Sequence, residues 1–208
     1  MRSIHALGLP VFSVALLASV TSSAAEPPKS GQAEAGATAD APPKKTTLDA
    51  APSFALPVGN FSDVTGIGLG VLLGLRHPIA NQLDVTGRAG FVYHFSKSDP
   101  TGTVSMGTSE LPLLGGVRYT FVPSTDGGFY GGAELGLSVV FLRASVGGIR
   151  GVGTVSGSDT SVKASTALGL GYQLGKLDIK GSLYFVDIGH LGDTMALMAS
   201  AGYSFADF

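Results

Sequence analysis

The chain has 208 residues, no Cys, no Trp, 31 Gly, 13% charged residues and a formal net charge of −2. Soluble domains carry about 25% charged residues and about 7% Gly, so this balance points away from an ordinary soluble domain. Near-neutral charge leaves no electrostatic footprint for nucleic acid, and the lack of Cys excludes disulfides, thiolate metal sites, a cysteine nucleophile and a lipidated N-terminal cysteine.

Arg2, the apolar run from Ala6 to Val20 and the small residues Ser23 and Ala25 predict a secretory signal peptide over 1–25, with the mature chain starting near Glu26. An uncleaved anchor fits less well, because the run is short for a spanning helix and Pro10 interrupts it. Residues 26–52 mix Ala, Pro and charges of both signs without apolar periodicity. Such a segment buries too little surface to offset its ordering entropy, which predicts a disordered periplasmic linker.

From residue 53 to 208 the apolar period is two. Thr65, Ile67, Leu69, Val71, Leu73 and Leu75 fall on one face, while Gly66, Gly68, Gly70 and Gly74 fall on the other. A water-facing strand face carries long polar side chains; this one carries almost nothing. Aliphatics on one face and glycine on the other suit a narrow, curved sheet whose outside is solvated by lipid. The asymmetry recurs through Leu135 and Leu137, through Leu168 and Leu170, and along four further stretches. Seven segments of roughly the ten residues needed to cross a bilayer result. A single-chain barrel needs an even number, and the shorter Ser53–Asn60 stretch, with Pro57 near its end, supplies the eighth.

Connection lengths agree. "RHPIANQ", "VPSTDGG" and "LGK" are compact, whereas "SKSDPTGTVSMGTS", "RASVGGIRGVGTVSGSDT" and "VDIGHLGD" are long, as periplasmic turns and outer loops should be. In this topology Tyr119, Phe121, Phe129, Tyr172, Tyr203 and Phe205 gather at the periplasmic ends of strands, and Tyr93, Phe95, Phe141 and Phe185 at the outer ends, forming two aromatic girdles. The expected fold is all-β: an eight-stranded antiparallel up-and-down transmembrane barrel.

"LPVGNFSDVTGIGLG", Leu56 to Gly70, resembles the start of the small bacterial outer-membrane β-barrel domains of the OmpA/OmpX/OmpW-like group. The terminal "AGYSF" is similar to that group's assembly signal. By this resemblance Tyr203, Phe205 and Phe208 are the residues read by the barrel-insertion machinery, with Phe208 three residues beyond Phe205 and, by strict alternation, on the other face. The resemblance brings no catalytic residues with it.

Eight strands leave an interior that side chains fill. The inward set holds Asp84, Glu110, Glu134 and Asp178 against Arg88, Arg118, Lys163 and Lys180, four acids and four bases that should pair, since an unpaired buried charge costs several kcal/mol. A structural or surface-interaction role with a largely plugged polar interior is therefore expected. A narrow channel for ions or small solutes is the alternative, because inward glycine leaves room for water. A second alternative is an outer-rim hydrolase or acyltransferase, using His190 with Asp187 and Asp193 or inward His94 as a base, although no Gly-x-Ser-x-Gly elbow accompanies them. Arg143 and Arg150 in the long third outer loop have the chemistry for lipopolysaccharide phosphates. The expected partners are outer-membrane lipid, lipopolysaccharide and the assembly machinery, with a monomeric barrel and neither cofactor nor metal.

Overall fold

The structure, a computed structural model, describes residues 45–99, 103–124, 127–147 and 155–208. The expected signal peptide, most of the expected linker and Arg150 lie outside the described residues. Strands β1 (Thr47–Pro57), β2 (Gly68–Ala80), β3 (Leu83–His94), β4 (Lys97–Ser98), β5 (Val104–Ser124), β6 (Gly127–Val146), β7 (Val155–Leu174), β8 (Leu177–Phe185) and β9 (Met195–Asp207) follow one another, with a four-residue helix α1 (Phe61–Val64) and a 3-10 turn at Ile188–His190. Each strand pairs antiparallel with its neighbours, β1 pairs with β9, and β3 pairs with β5 beyond the short β4. Eight strands thus close into a ring, and no helix among the described residues is long and apolar enough to cross a membrane.

The alternation read from the sequence is the wall itself. Ile67, Leu69, Val71, Leu73, Leu135, Leu137, Leu168 and Leu170 all lie on the exposed face, up to 67% exposed at Leu135 and Leu170. Such a continuous apolar belt would be unstable in water, so lipid solvates it. Phe129 and Phe141 bracket the belt on β6, twelve residues apart. At about 3.3 Å per residue and a tilt near 40° they are roughly 30 Å apart across the wall, the thickness of a hydrocarbon core. At the end bearing the short turns Phe129 stacks on its cross-strand partner Tyr172, ring centroids 4.6 Å apart. At the loop end Tyr93 and Phe95 meet edge to face at 5.8 Å.

Four sequence expectations are corrected. β1 begins at Thr47, not Ser53, so Thr47–Pro52 belong to the wall and not to the linker. Pro52 is tolerated inside it because the β1–β9 pairing passes from Ala50↔Tyr203 to Ser53↔Ser200, leaving unpaired the stretch where Pro52 has no N–H to offer. Pro112 in β5 interrupts the β3–β5 seam in the same way, between Leu113 and Glu110. Thr65 is not lipid-facing: it precedes β2, is buried, and its hydroxyl meets that of Thr108 at 3.2 Å.

The third correction concerns length. β5, β6 and β7 run for 20 or 21 residues, so parts of the expected outer loops, Val104–Ser109, Arg143–Val146 and Val155–Thr160, are strand. The fourth concerns Phe208. The β1–β9 register shifts by one residue between Asp49↔Ser204 and Leu48↔Ala206, a β-bulge at Phe205 that inverts the alternation beyond it. Backbone bonds between Thr46 and Phe208 continue the ladder. Cross-strand partners share a face, so Phe208, 69% exposed, stands on the lipid side with Tyr203 and Phe205.

Leu135 lies halfway between the two girdle residues of β6. Leu135→Arg should destabilise the folded barrel by about 2–4 kcal/mol, whereas Val155→Arg, beyond the outer girdle, should change stability by less than about 1 kcal/mol. Urea unfolding of both variants in lipid vesicles measures the contrast; equal cost at the two sites contradicts the lipid-facing assignment.

Candidate functional site: the barrel interior and its loop end

Strand direction sorts the inward residues by height. Near the turn end the lumen is charged. Arg118 Nη1 donates to Asp178 at 2.7 Å, its Nε lies 3.7 Å from Asp84, and its Nη2 donates to Gln173 at 2.6 Å. Arg76 donates to the same Gln173 oxygen at 2.5 Å. The Tyr130 hydroxyl donates to Asp178 while the Arg118 guanidinium lies 3.6 Å over the Tyr130 ring, a cation–π contact. One level up, Glu134 Oε1 accepts from Lys180 at 2.8 Å and lies 3.1 Å from Arg88. A cavity of about 50 Å³, bordered by Arg88, Arg118, Tyr130 and Glu134, has room for a few waters.

Inward glycine serves this network by making way for long side chains, not by leaving space empty. A Cβ on Gly171 would stand 2.3 Å from the Tyr130 ring, and one on Gly74 would stand 2.5 Å from the Asp49 carboxylate. Each glycine is therefore the floor on which a polar side chain from a neighbouring strand lies.

Above the charged tiers the lumen turns apolar. Leu72, Val92, Leu114, Val140, Val186 and Met198 are buried there with Tyr184, whose hydroxyl meets Ser138 at 2.5 Å. Within this layer His94 and Glu110 are fully buried, 3.2 Å apart, with Phe61 of α1 edge-on to the imidazole. His94 Nδ1 faces the Gly66 carbonyl at 3.0 Å, an acceptor only, so Nδ1 carries hydrogen. Its contact with Glu110 needs a second hydrogen on one partner or the other, which makes the pair neutral overall. The other interior groups, Asp49, Asp84, Glu134 and Asp178 against Arg76, Arg88, Arg118 and Lys180, then balance four to four.

Of the eight residues expected to pair inside, Asp84, Arg88, Arg118, Glu134, Asp178 and Lys180 meet one another, while Glu110 meets His94 instead of a base of that set. Lys163 does not join them: it sits at the loop end, 40% exposed, 3.0 Å from Asp187. Its place is taken by Arg76, which falls within β2 instead of the turn assigned to it. Asp49, Tyr130 and Gln173 were also missed, Asp49 because it lay in the supposed linker; the parity of Tyr130 on β6 was legible.

At the loop end, Asp187 Oδ2 receives Lys163 and His190 Nδ1, at 3.2 Å, while Oδ1 accepts from Gly189 N–H at 2.9 Å. Asp193 turns away from this pair and accepts from Asn60 at 2.6 Å, tying the last loop to the first. The two candidate bases therefore differ. His94 has both nitrogens engaged in a buried layer, whereas the His190 ring is largely exposed and, among the described residues, no serine or threonine hydroxyl is bonded to that ring; the Thr194 hydroxyl donates to the His190 carbonyl instead, at 3.0 Å. No group of metal-ligating side chains forms among the described residues.

The ring of eight strands, the apolar belt and the ion-paired interior define a fold class: small eight-stranded transmembrane β-barrels of the outer-membrane type. No family model matches the chain, and no curated protein matches it in sequence. Among solved structures it is similar to Ail, the attachment invasion locus protein of Yersinia pestis, with 14% identity and a TM-score of 0.52 over 79% of this chain and 99% of that one. Ail in complex with the heparin analogue sucrose octasulfate aligns with 15% identity and a TM-score of 0.50 over the same shares. Neisserial surface protein A aligns with 19% identity and a TM-score of 0.43, over 77% of this chain and 96% of that one. The two likenesses to Ail agree with the fold described above.

Two outcomes follow from the charges. Glu134→Ala strips Arg88 and Lys180 of their shared carboxylate and should cost about 3–5 kcal/mol in urea unfolding, with Glu134→Gln costing less. At Asp187, burial pushes the carboxyl up, but hydrogen bonds from Lys163, Gly189 N–H and His190 outweigh it and hold the group below its ordinary 3.8. A depressed folded value stabilises above the unfolded value and is lost as pH falls through the folded one, so the last loop should keep its order above about pH 4 and loosen below. A carboxyl carbon NMR titration should give a midpoint under 3.8, raised by Lys163→Gln.

Proposed function

We propose that the chain is an integral protein of the bacterial outer membrane, exported by its cleaved signal peptide, that acts as a non-conducting scaffold for interactions at the cell surface. The observation that supports this reading is the succession inside the barrel of two ion-paired tiers and an apolar layer capped by Phe61. With the lumen filled, the chemistry open to partners is at the loop end, where β5, β6 and β7 continue past the outer girdle. Exposed Arg143 there suits lipopolysaccharide phosphate. At the other end, Tyr203, Phe205 and Phe208 on one face form the aromatic edge offered to the assembly machinery, and the barrel works as a monomer.

The enzymatic reading draws on the His190–Asp187 pair alone. The contacts of Asp187 with Gly189 N–H and His190 are equally those of a residue capping a short turn, and its remaining side-chain contact is the ion pair with Lys163. Planar-bilayer recording decides between scaffold and channel. The refolded barrel, verified by heat-modifiable gel migration, should give no steady conductance; steady openings altered by Arg88→Gln would establish the channel instead.

A further inference from the structure

The loop end holds a cup of about 290 Å³ that the interior network does not use. Its back wall is the inner face of the strand extensions, with Leu142 and Ser161; α1 and the Ile188–His190 turn form its sides. Phe61, Val140 and Val186 make the floor, all three buried, and Leu142 adds a 41%-exposed aliphatic surface above them. Water gains little against such a floor, so an alkyl chain laid on it would release water at about 25 cal/mol per Å² covered.

The rim carries charge in a particular order. Asp187 is saturated by Lys163, His190 and Gly189 N–H, and so acts to hold the Lys163 ammonium and the His190 ring in place. The ammonium keeps further N–H donors, whereas His190, whose Nδ1–H is given to Asp187, keeps Nε2 as an acceptor. Asp193, lining the same cup, gives Oδ1 to Asn60 and retains Oδ2 as an acceptor. A donor group and a carboxylate thus share one rim above an apolar floor. An anionic head alone meets Asp193 and a cationic head alone meets Lys163, whereas a head bearing both signs satisfies both.

We propose that this cup binds a single-chain zwitterionic amphiphile, its alkyl chain on Phe61, Val140 and Val186, its anionic group at the Lys163 ammonium, and its own ammonium at Asp193. The inference rests on the reading that the loop end faces outward as an interaction surface. It specifies the chemistry of one ligand there.

The test uses the refolded barrel in alkyl maltoside micelles, titrated with short-chain lysophosphatidylethanolamine while the methyl signals of Val140, Leu142 and Val186 and the ring signals of His190 are followed by NMR. A saturable shift of these signals is expected. Asp193→Asn should weaken it about tenfold, roughly 1.4 kcal/mol, while strengthening the response to an alkyl sulfate of the same chain length. Val140→Trp, which fills the floor, should abolish the shift; if that variant does not fold, Leu142→Asp on the exposed wall replaces it. No saturation, or equal binding of lysolipid by the wild type and Asp193→Asn, overturns the proposal. Failure of the wild type to show heat-modifiable migration would instead count against the membrane-barrel reading, so the two failures are distinguishable.

Discussion

Closure through the β1–β9 seam is the constraint on which the rest depends. Backbone amides facing hydrocarbon have no water to bond, so a lipid-solvated sheet must have no free edge within the membrane. The chain therefore brings Thr47–Pro57 alongside Met195–Asp207, its two extremes, and holds them antiparallel. Without that pairing the aliphatic belt would have no continuous wall, and the interior would have no inside. The seam also tolerates two irregularities, the unpaired stretch at Pro52 midway along it and the bulge at Phe205 near its turn end.

Closing only eight strands fixes how little room remains within. The interior resolves this crowding by pairing large side chains with glycine floors and by separating charge from hydrocarbon along the axis. Charges gather where Arg118, Asp178, Glu134 and Lys180 can reach one another, and the apolar layer lies above them. Glu134, only 4% exposed, serves two cations at once, so the network is interdependent: its pairs are worth more together than a pairwise sum implies. His94 and Glu110 fit within the apolar layer because together they carry no net charge.

The loops complete what the lumen leaves exposed. Phe61 reaches from α1 into the mouth and stacks against His94, while Asn60 to Asp193 and Lys97 Nζ to the Ser62 carbonyl, at 2.5 Å, tie the first loop to the last loop and to β4. These contacts give the loop end a defined relief of apolar floor and charged rim, in contrast to the uniform apolar belt below it.

Much of the wall was legible in the sequence because each face of a barrel strand meets one environment for its whole length, and that uniformity writes a period of two into the residues themselves. Strand count, girdles and the faces of Leu135, Leu168, Glu134 and Arg118 follow from it. Alternation gives a side chain's face but neither its height nor its partner across the lumen. That is why Lys163 was grouped with Glu134 although it reaches Asp187, and why Arg76 was left in a turn. The bulge that returns Phe208 to the lipid face depends on pairing with Thr46–Asp49, some 160 positions earlier, and local sequence carries no trace of it. The sequence by itself determined the alternating wall and its even number of strands, since solvent on each face selects residue type directly. Only the tertiary structure decided which charges meet, where the lumen turns apolar and how the loops shape the outer cup, because those depend on the register and stagger with which the sheet closes.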